Sequence, residues 1–115
     1  MTIREIYEKV NLVIPLEQRR FFNYYDDSVN ELIMTYDGFV LPKDTEYISP
    51  KTLDDDNPVL GMYHVSIVDN ILFLAAAGGE NNQMYKTEFL RKSREAYHKY
   101  WSDNAKGKRI KRLKW

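Results

Sequence analysis

The sequence predicts an all-α protein, a small four-helix bundle whose last two helices form an antiparallel hairpin. Two observations carry this prediction: apolar residues recur at intervals of three and four in four separate stretches, and a segment without helical period separates the second stretch from the third. The chain has 115 residues, of which 43% are hydrophobic, so it can form one domain with one core.

The first helix is predicted near the N-terminus, where Thr2 and Glu5 have the spacing of a capping box. Apolar residues follow at positions i, i+3, i+4 and i+7, namely Ile3, Ile6, Tyr7 and Val10. Because a residue that precedes proline is pushed towards an extended conformation, we expect 11–14 to leave helical geometry before Pro15. The predicted helix is therefore short and amphipathic.

The second helix is expected to open at Pro15 and to end at Gly38, because proline suits the first turn of a helix and glycine its end. One face is apolar and carries Phe22, Tyr25, Val29, Leu32, Ile33 and Tyr36. The aromatic run FFNYY could stack on nucleic-acid bases, but aromatic residues at helical spacing are far more often core residues. We interpret this run as core.

The segment 37–57 has two prolines, one glycine and no helical period, so it is predicted to be an extended loop. Within it, 38–41 and 46–48 are short and prone to β-structure, and a small β-hairpin around 42–45 is expected. An exposed hairpin would suit contact with a neighbouring subunit. The predicted subunit-contact residues are Phe39, Val40, Leu41, Tyr47 and Ile48.

The third helix, predicted over 58–77, is the most apolar stretch and the expected centre of the bundle. Asn57 can cap it, Pro58 suits its first position, and Gly78 with Gly79 can end it. Apolar residues cover nearly its whole circumference, so we expect burial on almost every side. Polar residues interrupt the run and argue against a membrane span: His64, Ser66, Asp69 and Asn70.

Three consecutive aspartates, 54–56, precede this third helix. Carboxylates are favoured at the positive end of a helix dipole, and this is the preferred interpretation. The alternative is a divalent cation bound by oxygen ligands, but the glycine and the distal glutamate of an EF-hand loop are missing. We therefore predict no metal site and no cofactor.

The fourth helix is predicted over 80–103, with an apolar side formed by Tyr85, Phe89, Ala96, Tyr97, Tyr100 and Trp101. The glycine turn before it is short, which implies antiparallel packing against the third helix. The first two helices would then cover this hairpin.

The net charge is zero but is unevenly divided along the chain. The predicted single domain, 1–105, holds 11 basic and 17 acidic residues, net −6, whereas the predicted flexible tail, 106–115, holds six basic residues and no acid. Three interpretations of the tail stay open: it neutralises nucleic-acid phosphates, it is a solvated terminus, or it docks on an acidic protein groove through Leu113 and Trp115. The absence of cysteine and of a secretory signal favours a soluble protein made in the cytoplasm.

No catalytic site is predicted, and the protein is not expected to be an enzyme. The two histidines, His64 and His98, stand apart from other catalytic residue types, and a histidine on a core helix is usually a hydrogen-bonded structural residue. The sequence contains no HExxH motif, nucleophile elbow or Gly-rich phosphate loop, and we interpret Gly78 and Gly79 as a helix end.

Three stretches of the sequence resemble the head-to-tail connector, or adaptor, proteins of tailed bacteriophages. They are TIREIYEKVN at the start, RRFFNYYDDSVNELIMTY in the second helix and YHVSIVDNILFLAAAGGENNQMYKTEFLRKSREAYHKYW in the hairpin. The hairpin carries most of the resemblance, because a Tyr-His opening, a helix end of small residues, a Gly-rich turn and a basic aromatic helix are typical of such adaptors. The resemblance is one of overall character across most of the chain.

This resemblance implies a structural role in the neck of a phage or prophage virion. Connector subunits form a ring beneath the portal and extend a channel through which duplex DNA passes without specific binding. The implied partners are the portal protein, tail-side connector proteins and other copies of the chain, with no membrane contact. The predicted partner-binding residues lie in the tail: Lys106, Lys108, Arg109, Ile110, Lys111, Arg112, Leu113, Lys114 and Trp115. The alternative function is a small nucleic-acid-binding accessory protein that uses the same tail.

Overall fold

A computed structural model describes the backbone of residues 1–104 and the side chains of residues 1–99. This part of the chain forms four α-helices and a short 3₁₀ helix, and it contains no β-strand. The α-helices are α1 (Ile3–Val13), α2 (Gln18–Thr35), α3 (His64–Ala75) and α4 (Asn82–Asn104), and the 3₁₀ helix is Gly61–Tyr63. The predicted all-α class is confirmed. The predictions for 106–115 lie outside the described residues.

Helix α1 begins with the predicted capping box. Glu5 N donates to Thr2 Oγ1 at 3.0 Å, and Thr2 N donates to Glu5 Oε1 at 2.8 Å. The helix nevertheless continues to Val13, so the prediction that 11–14 is non-helical is wrong for three of these four residues. Ile14 alone is extended, with φ −132° and ψ 113°, because Pro15 restricts only the residue before it.

Helix α2 begins at Gln18 rather than at the predicted Pro15, and Glu17 is its N-cap residue. One residue of its buried face differs from the prediction: Phe21 is fully buried, whereas the predicted Phe22 is only half-buried. Phe21 packs edge-on against both Tyr7 of α1 and Phe22, with ring centroids 5.1 and 5.3 Å away. The aromatic run therefore belongs to the core, as interpreted.

Helix α3 begins at His64, six residues later than predicted. The chain before it stays irregular because it is held from elsewhere: Leu60 N donates to Val40 O at 2.9 Å, and the Asn57 side chain accepts from Val59 N at 3.2 Å. The preferred interpretation of the aspartate run 54–56 as helix-start electrostatics is therefore wrong, because dipole effects fall off within the first turn.

Two of these three aspartates have other partners instead. Asp55 Oδ2 accepts from Lys51 N at 2.7 Å and from Thr52 N at 2.9 Å, and these two hydrogen bonds lower the pKa of the Asp55 carboxyl. Asp54 forms an exposed ion pair with Arg4 of α1 at 2.9 Å. The run thus shapes a surface turn and ties it to the first helix.

Helix α3 lies at the centre of the fold, since it contacts α1, α2 and α4. Its contacts with α4 run in opposite order along the two helices: Asn82 Nδ2 donates to Phe73 O at 2.7 Å, and Lys92 pairs with Asp69 at 2.8 Å. Burial of the predicted helix 58–77 is less complete than expected, because Met62 of the 3₁₀ helix and Val65 of α3 are exposed. The largest fully buried side chains are Tyr25, Tyr63, Phe21, Phe89, Ile3, Ile6, Leu32, Ile67 and Ile71.

The segment 37–57 contains turns and bends, and the predicted hairpin between 38–41 and 46–48 is not formed. A turn does occur at the expected place, where Thr45 N donates to Pro42 O at 3.1 Å. The flanking residues have other partners, however: Val40 O accepts from Leu60 N, and Tyr47 Oη donates to Asp26 of α2. The segment is therefore anchored to the helices rather than paired with itself.

Candidate interaction surface

A buried polar network joins α2, α3 and α4. Asn70 of α3 is 1% exposed; its Nδ2 donates to Ser28 Oγ of α2 at 2.9 Å, and its Oδ1 accepts from Lys86 Nζ of α4 at 3.2 Å. Lys86 also forms an ion pair with Glu31 of α2. The ammonium lies 5.0 and 4.8 Å from the ring centroids of Phe73 and Phe89, where cation–π attraction adds to the ion pair. The network fixes the three helices relative to one another.

The start of the chain is held by a second group of hydrogen bonds. Asn57 Oδ1 accepts from the buried Tyr25 hydroxyl at 2.7 Å, and Asn57 Nδ2 donates to Met1 O at 3.0 Å. Burial, and next the nearby Asp26 carboxylate, raise the pKa of Tyr25. This hydroxyl therefore acts as a structural hydrogen-bond donor.

Both ring nitrogens of His64 are engaged. Nε2 lies 2.7 Å from the carbonyl oxygen of Val59, and Nδ1 lies 2.7 Å from the N-terminal amine. A neutral ring with its proton on Nε2 satisfies both contacts, because the carbonyl can only accept and the ammonium can only donate. Burial, together with the positive N-terminus, lowers the pKa of His64, although the Val59 carbonyl opposes this.

An open cavity of about 520 Å³ lies beside His64, lined by Arg4 and by the aspartate run 54–56. His64 offers no free nitrogen to it, Asp54 is paired with Arg4, and Asp55 holds a turn. Within the described residues, no group of three or more His, Cys, Asp or Glu side chains could hold a metal ion. The groups lining this cavity are thus used mainly to hold the chain in place.

Aromatic rings cluster where α2 ends and α4 passes it. The Tyr36 ring is stacked on the Tyr97 ring with centroids 4.8 Å apart, and the Tyr36 and Tyr63 ring centroids are 6.2 Å apart. Phe39, the third residue beyond Tyr36, meets Tyr97 edge-on at 5.4 Å. This cluster places the last described side chains of α4 next to the start of the loop 37–57.

A second and larger cavity, of about 740 Å³, lies between α2 and the first half of this loop, and we call it the loop cavity. Its half-buried lining consists of Ile33, Leu41 and Tyr47. Three exposed carboxylates surround this apolar surface: Asp37, Asp44 and Glu46. None of the three forms an ion pair within the part of the chain that the structure describes.

The loop cavity keeps its shape because Tyr47 is tied to α2. Its hydroxyl donates to Asp26, and burial together with this hydrogen bond raises the pKa of Tyr47. Asp44 has a φ of 60°, a left-handed conformation that aspartate tolerates better than most residues. The backbone turn at 42–45 therefore projects an acidic side chain at the cavity's edge.

The five predicted subunit-contact residues do not form one exposed surface. Val40 is fully buried, and Phe39, Leu41 and Tyr47 are half-buried against the domain. Ile48 alone of the five is exposed, at 78%. The loop apex is thus largely part of the fold, and the surface it offers is the loop cavity.

Sequence reasoning did not identify the acidic residues of the loop cavity. A signal was present, because the segment 37–57 holds six acidic residues against two basic ones. Which of the six surround a cavity depends on the return of Tyr47 to α2, and this is a contact between distant positions. The predicted partner-binding residues of 106–115 lie beyond the described part of the chain.

No family model matches this chain, and no curated protein or solved structure matches it either. Among the helices of the described residues, none has both the length and the apolar character needed to cross a membrane.

Proposed function

We propose that this chain is a structural protein of a tailed phage or prophage, a head-to-tail connector that forms a ring under the portal and extends the DNA channel. In this proposal the four helices act as a small rigid bundle, and the protein works in the virion neck without catalysis. The observation that carries the proposal is the division of charge. A net −6 over 1–105 and +6 over 106–115 suits a subunit that binds neighbours through complementary ends.

The arrangement of polar groups supports a building block of this kind. The Ser28, Asn70 and Lys86 network is used to hold helices together, and the His64 ring is fully hydrogen-bonded. A net acidic body would also suit a channel wall, since a surface of the same sign as the DNA phosphates does not retain the duplex. Exposed apolar side chains on several elements offer contacts to neighbours: Leu12, Met34, Ile48, Val65, Met84 and Leu90.

Binding to the portal ring of the same phage or prophage tests this function. The full chain should bind the purified portal and add a ring of density beneath it in negative-stain electron microscopy. A chain without 106–115 should bind more weakly, and the difference should shrink as salt rises, because charge attraction is screened. If the full chain fails to bind at low and at moderate salt, the connector function is wrong.

The second candidate is a nucleic-acid-binding accessory protein, favoured by the six cations in 106–115. Such a protein should bind duplex DNA with an affinity that falls steeply with salt, with a slope of up to about −5 in log K against log salt for six phosphate contacts. A connector should bind duplex DNA weakly. A salt titration of DNA binding by the full chain therefore separates the two functions.

A further inference from the structure

We propose that the basic segment 106–115 docks in the loop cavity of its own chain. The proposal rests on the proposed connector function only for its biological purpose, because the docking itself is an intramolecular contact. Three features of the described structure support it: the apolar lining of the cavity, its unpaired acidic edge, and the position of α4.

The loop cavity combines an apolar lining with an excess of negative charge. Ile33, Leu41 and Tyr47 provide the apolar lining, while three carboxylates and a single lysine, Lys43, surround it. A volume of about 740 Å³ falls in the range in which proteins bind ligands or side chains of a partner. The expected occupant is therefore a segment with both cations and large apolar side chains.

The segment 106–115 has this composition. Its six basic residues alternate with Ile110, Leu113 and Trp115. A bulky apolar side chain could cover Leu41 and Tyr47, while neighbouring cations would meet the carboxylates of Asp37, Asp44 and Glu46. Removing the apolar groups from water and pairing the charges would both favour the contact.

The position of α4 puts the cavity within the reach of this segment. The Tyr97 ring contacts Phe39, whose neighbours in sequence, Gly38 and Val40, line the cavity. Helix α4 continues for seven residues beyond Tyr97 to Asn104, a rise of about 10 Å. The eleven further residues, 105–115, can span up to about 36 Å, so the segment can reach the cavity. A tether of this length gives an effective concentration on the order of millimolar.

Docking in this way would shield the basic residues until a partner competes for them. A portal or another protein with a larger acidic surface would displace the segment from the cavity, whereas in the free chain the charges would neutralise each other. The free protein would thus bind phosphates and unrelated acidic proteins more weakly than a chain whose six cations are exposed.

Tryptophan fluorescence of the full chain tests the docking directly. The chain has two tryptophans, so Trp101→Phe leaves Trp115 as the reporter. In this background we expect Asp37→Asn, Asp44→Asn and Glu46→Gln together to shift Trp115 emission to longer wavelength and to increase quenching by acrylamide. The ratio of docked to undocked chains should fall about tenfold, since each exposed ion pair contributes roughly a factor of two to three.

The control changes the same number of charges elsewhere. Glu8→Gln, Glu17→Gln and Glu80→Gln neutralise three exposed carboxylates outside the cavity lining and should leave Trp115 emission unchanged. Circular dichroism should show that both triple variants are folded. Equal emission from the two triple variants would overturn the proposal.

Dilution tests whether the docked segment belongs to the same chain or to a second copy. Docking within one chain predicts emission that does not depend on protein concentration, whereas a dependence on concentration would mean docking on a second copy and would overturn the intramolecular proposal. None of these measurements includes the portal. A failure here therefore leaves the connector function intact, and a failure to bind the portal leaves the docking intact.

Discussion

Asn70 shows how a single buried amide can connect three helices. It donates to Ser28 on α2 and accepts from Lys86 on α4, although it is itself on the most apolar helix of the chain. A buried amide is stabilising only when its hydrogen bonds are made, because an unsatisfied buried polar group costs about 1–3 kcal/mol. Its partners are therefore as important as the residue.

We expect Asn70→Ala to lower the free energy of unfolding by about 2 kcal/mol, because a buried hydrogen bond to Ser28, a partly buried one from Lys86 and the packing of the side chain are lost. Urea denaturation followed by circular dichroism measures the change. Asn30→Ala, at an exposed position of α2, is the control and should change the free energy of unfolding by less than about 0.5 kcal/mol. Equal effects of the two substitutions would contradict the assigned role of the network.

His64 gives the fold a pH dependence whose sign follows from its lowered pKa. In the unfolded chain the imidazole takes up a proton near its ordinary pKa of about 6.5, whereas in the folded chain burial and the N-terminal amine resist protonation. At pH values between the pKa of His64 in the folded chain and its pKa in the unfolded chain, the unfolded state thus binds more protons than the folded state. Stability should fall as pH decreases through this window.

The measurement is the free energy of unfolding at pH 7.5 and at pH 5.5 for the wild type and for His64→Gln. We expect the wild type to lose about 1 kcal/mol more than the variant over this interval, since other groups contribute equally to both. Asn30→Ala is the control, because it changes an exposed side chain that does not titrate and should leave the pH dependence of the wild type unchanged. A pH dependence identical in wild type and His64→Gln would rule out this role for His64.

At the scale of elements, the turn between α3 and α4 depends on one glycine conformation. Gly78 has a φ of 81°, a region that residues with a side chain rarely adopt, although an added Cβ would meet no atom within 4 Å. Gly61 also has open space around an added Cβ, but its φ is not positive. Alanine substitutions at the two glycines therefore distinguish the effect of backbone strain from that of steric fit.

We expect Gly78→Ala to lower the free energy of unfolding by about 1 kcal/mol, because alanine is strained at positive φ. Gly61→Ala should leave stability unchanged or raise it by up to about 1 kcal/mol, because it restricts the unfolded chain. Thermal unfolding of the two variants side by side gives the comparison. If Gly78→Ala is as stable as Gly61→Ala, the turn does not require the left-handed conformation.

The elements that could be predicted from the sequence are those fixed by neighbours in the chain. The capping box of Thr2 and Glu5 depends on residues three apart, and the helical spacing of α1, α2 and α4 is a local property as well. The start of α3 could not be predicted in this way. It depends on the hydrogen bond from Leu60 to Val40, twenty positions earlier, and that bond holds the chain extended where Asn57 and Pro58 favour a helix.

The candidate surface was predictable only in part, for the same reason. The sequence predicts that the loop 37–57 is irregular, but it places Val40, Leu41 and Tyr47 in an exposed hairpin rather than in the lining of a cavity. Their position around the cavity depends on Tyr47, whose hydroxyl donates to Asp26 at the middle of α2. A pattern of apolar and polar residues contains no information on such a long-range tether.

At the scale of the whole molecule, the two charged parts of the chain have opposite effects on nucleic acid. The acidic body repels phosphates, whereas six cations in 106–115 attract them. If the segment 106–115 is docked in the loop cavity, its cations are partly neutralised and DNA affinity is reduced further. Releasing the segment should therefore raise DNA affinity by more than the change in net charge alone explains.

The two triple variants isolate this effect, because each raises the net charge of the full chain from 0 to +3. We expect the variant neutralised at Asp37, Asp44 and Glu46 to bind a short duplex DNA about tenfold more tightly at low salt than the variant neutralised at Glu8, Glu17 and Glu80, and its affinity to fall more steeply with salt, because more of its cations contact phosphates. Fluorescence anisotropy of labelled DNA across a salt series provides both values. Equal affinities at every salt concentration would mean that the loop cavity does not restrain the basic segment, since net charge would then account for the whole effect.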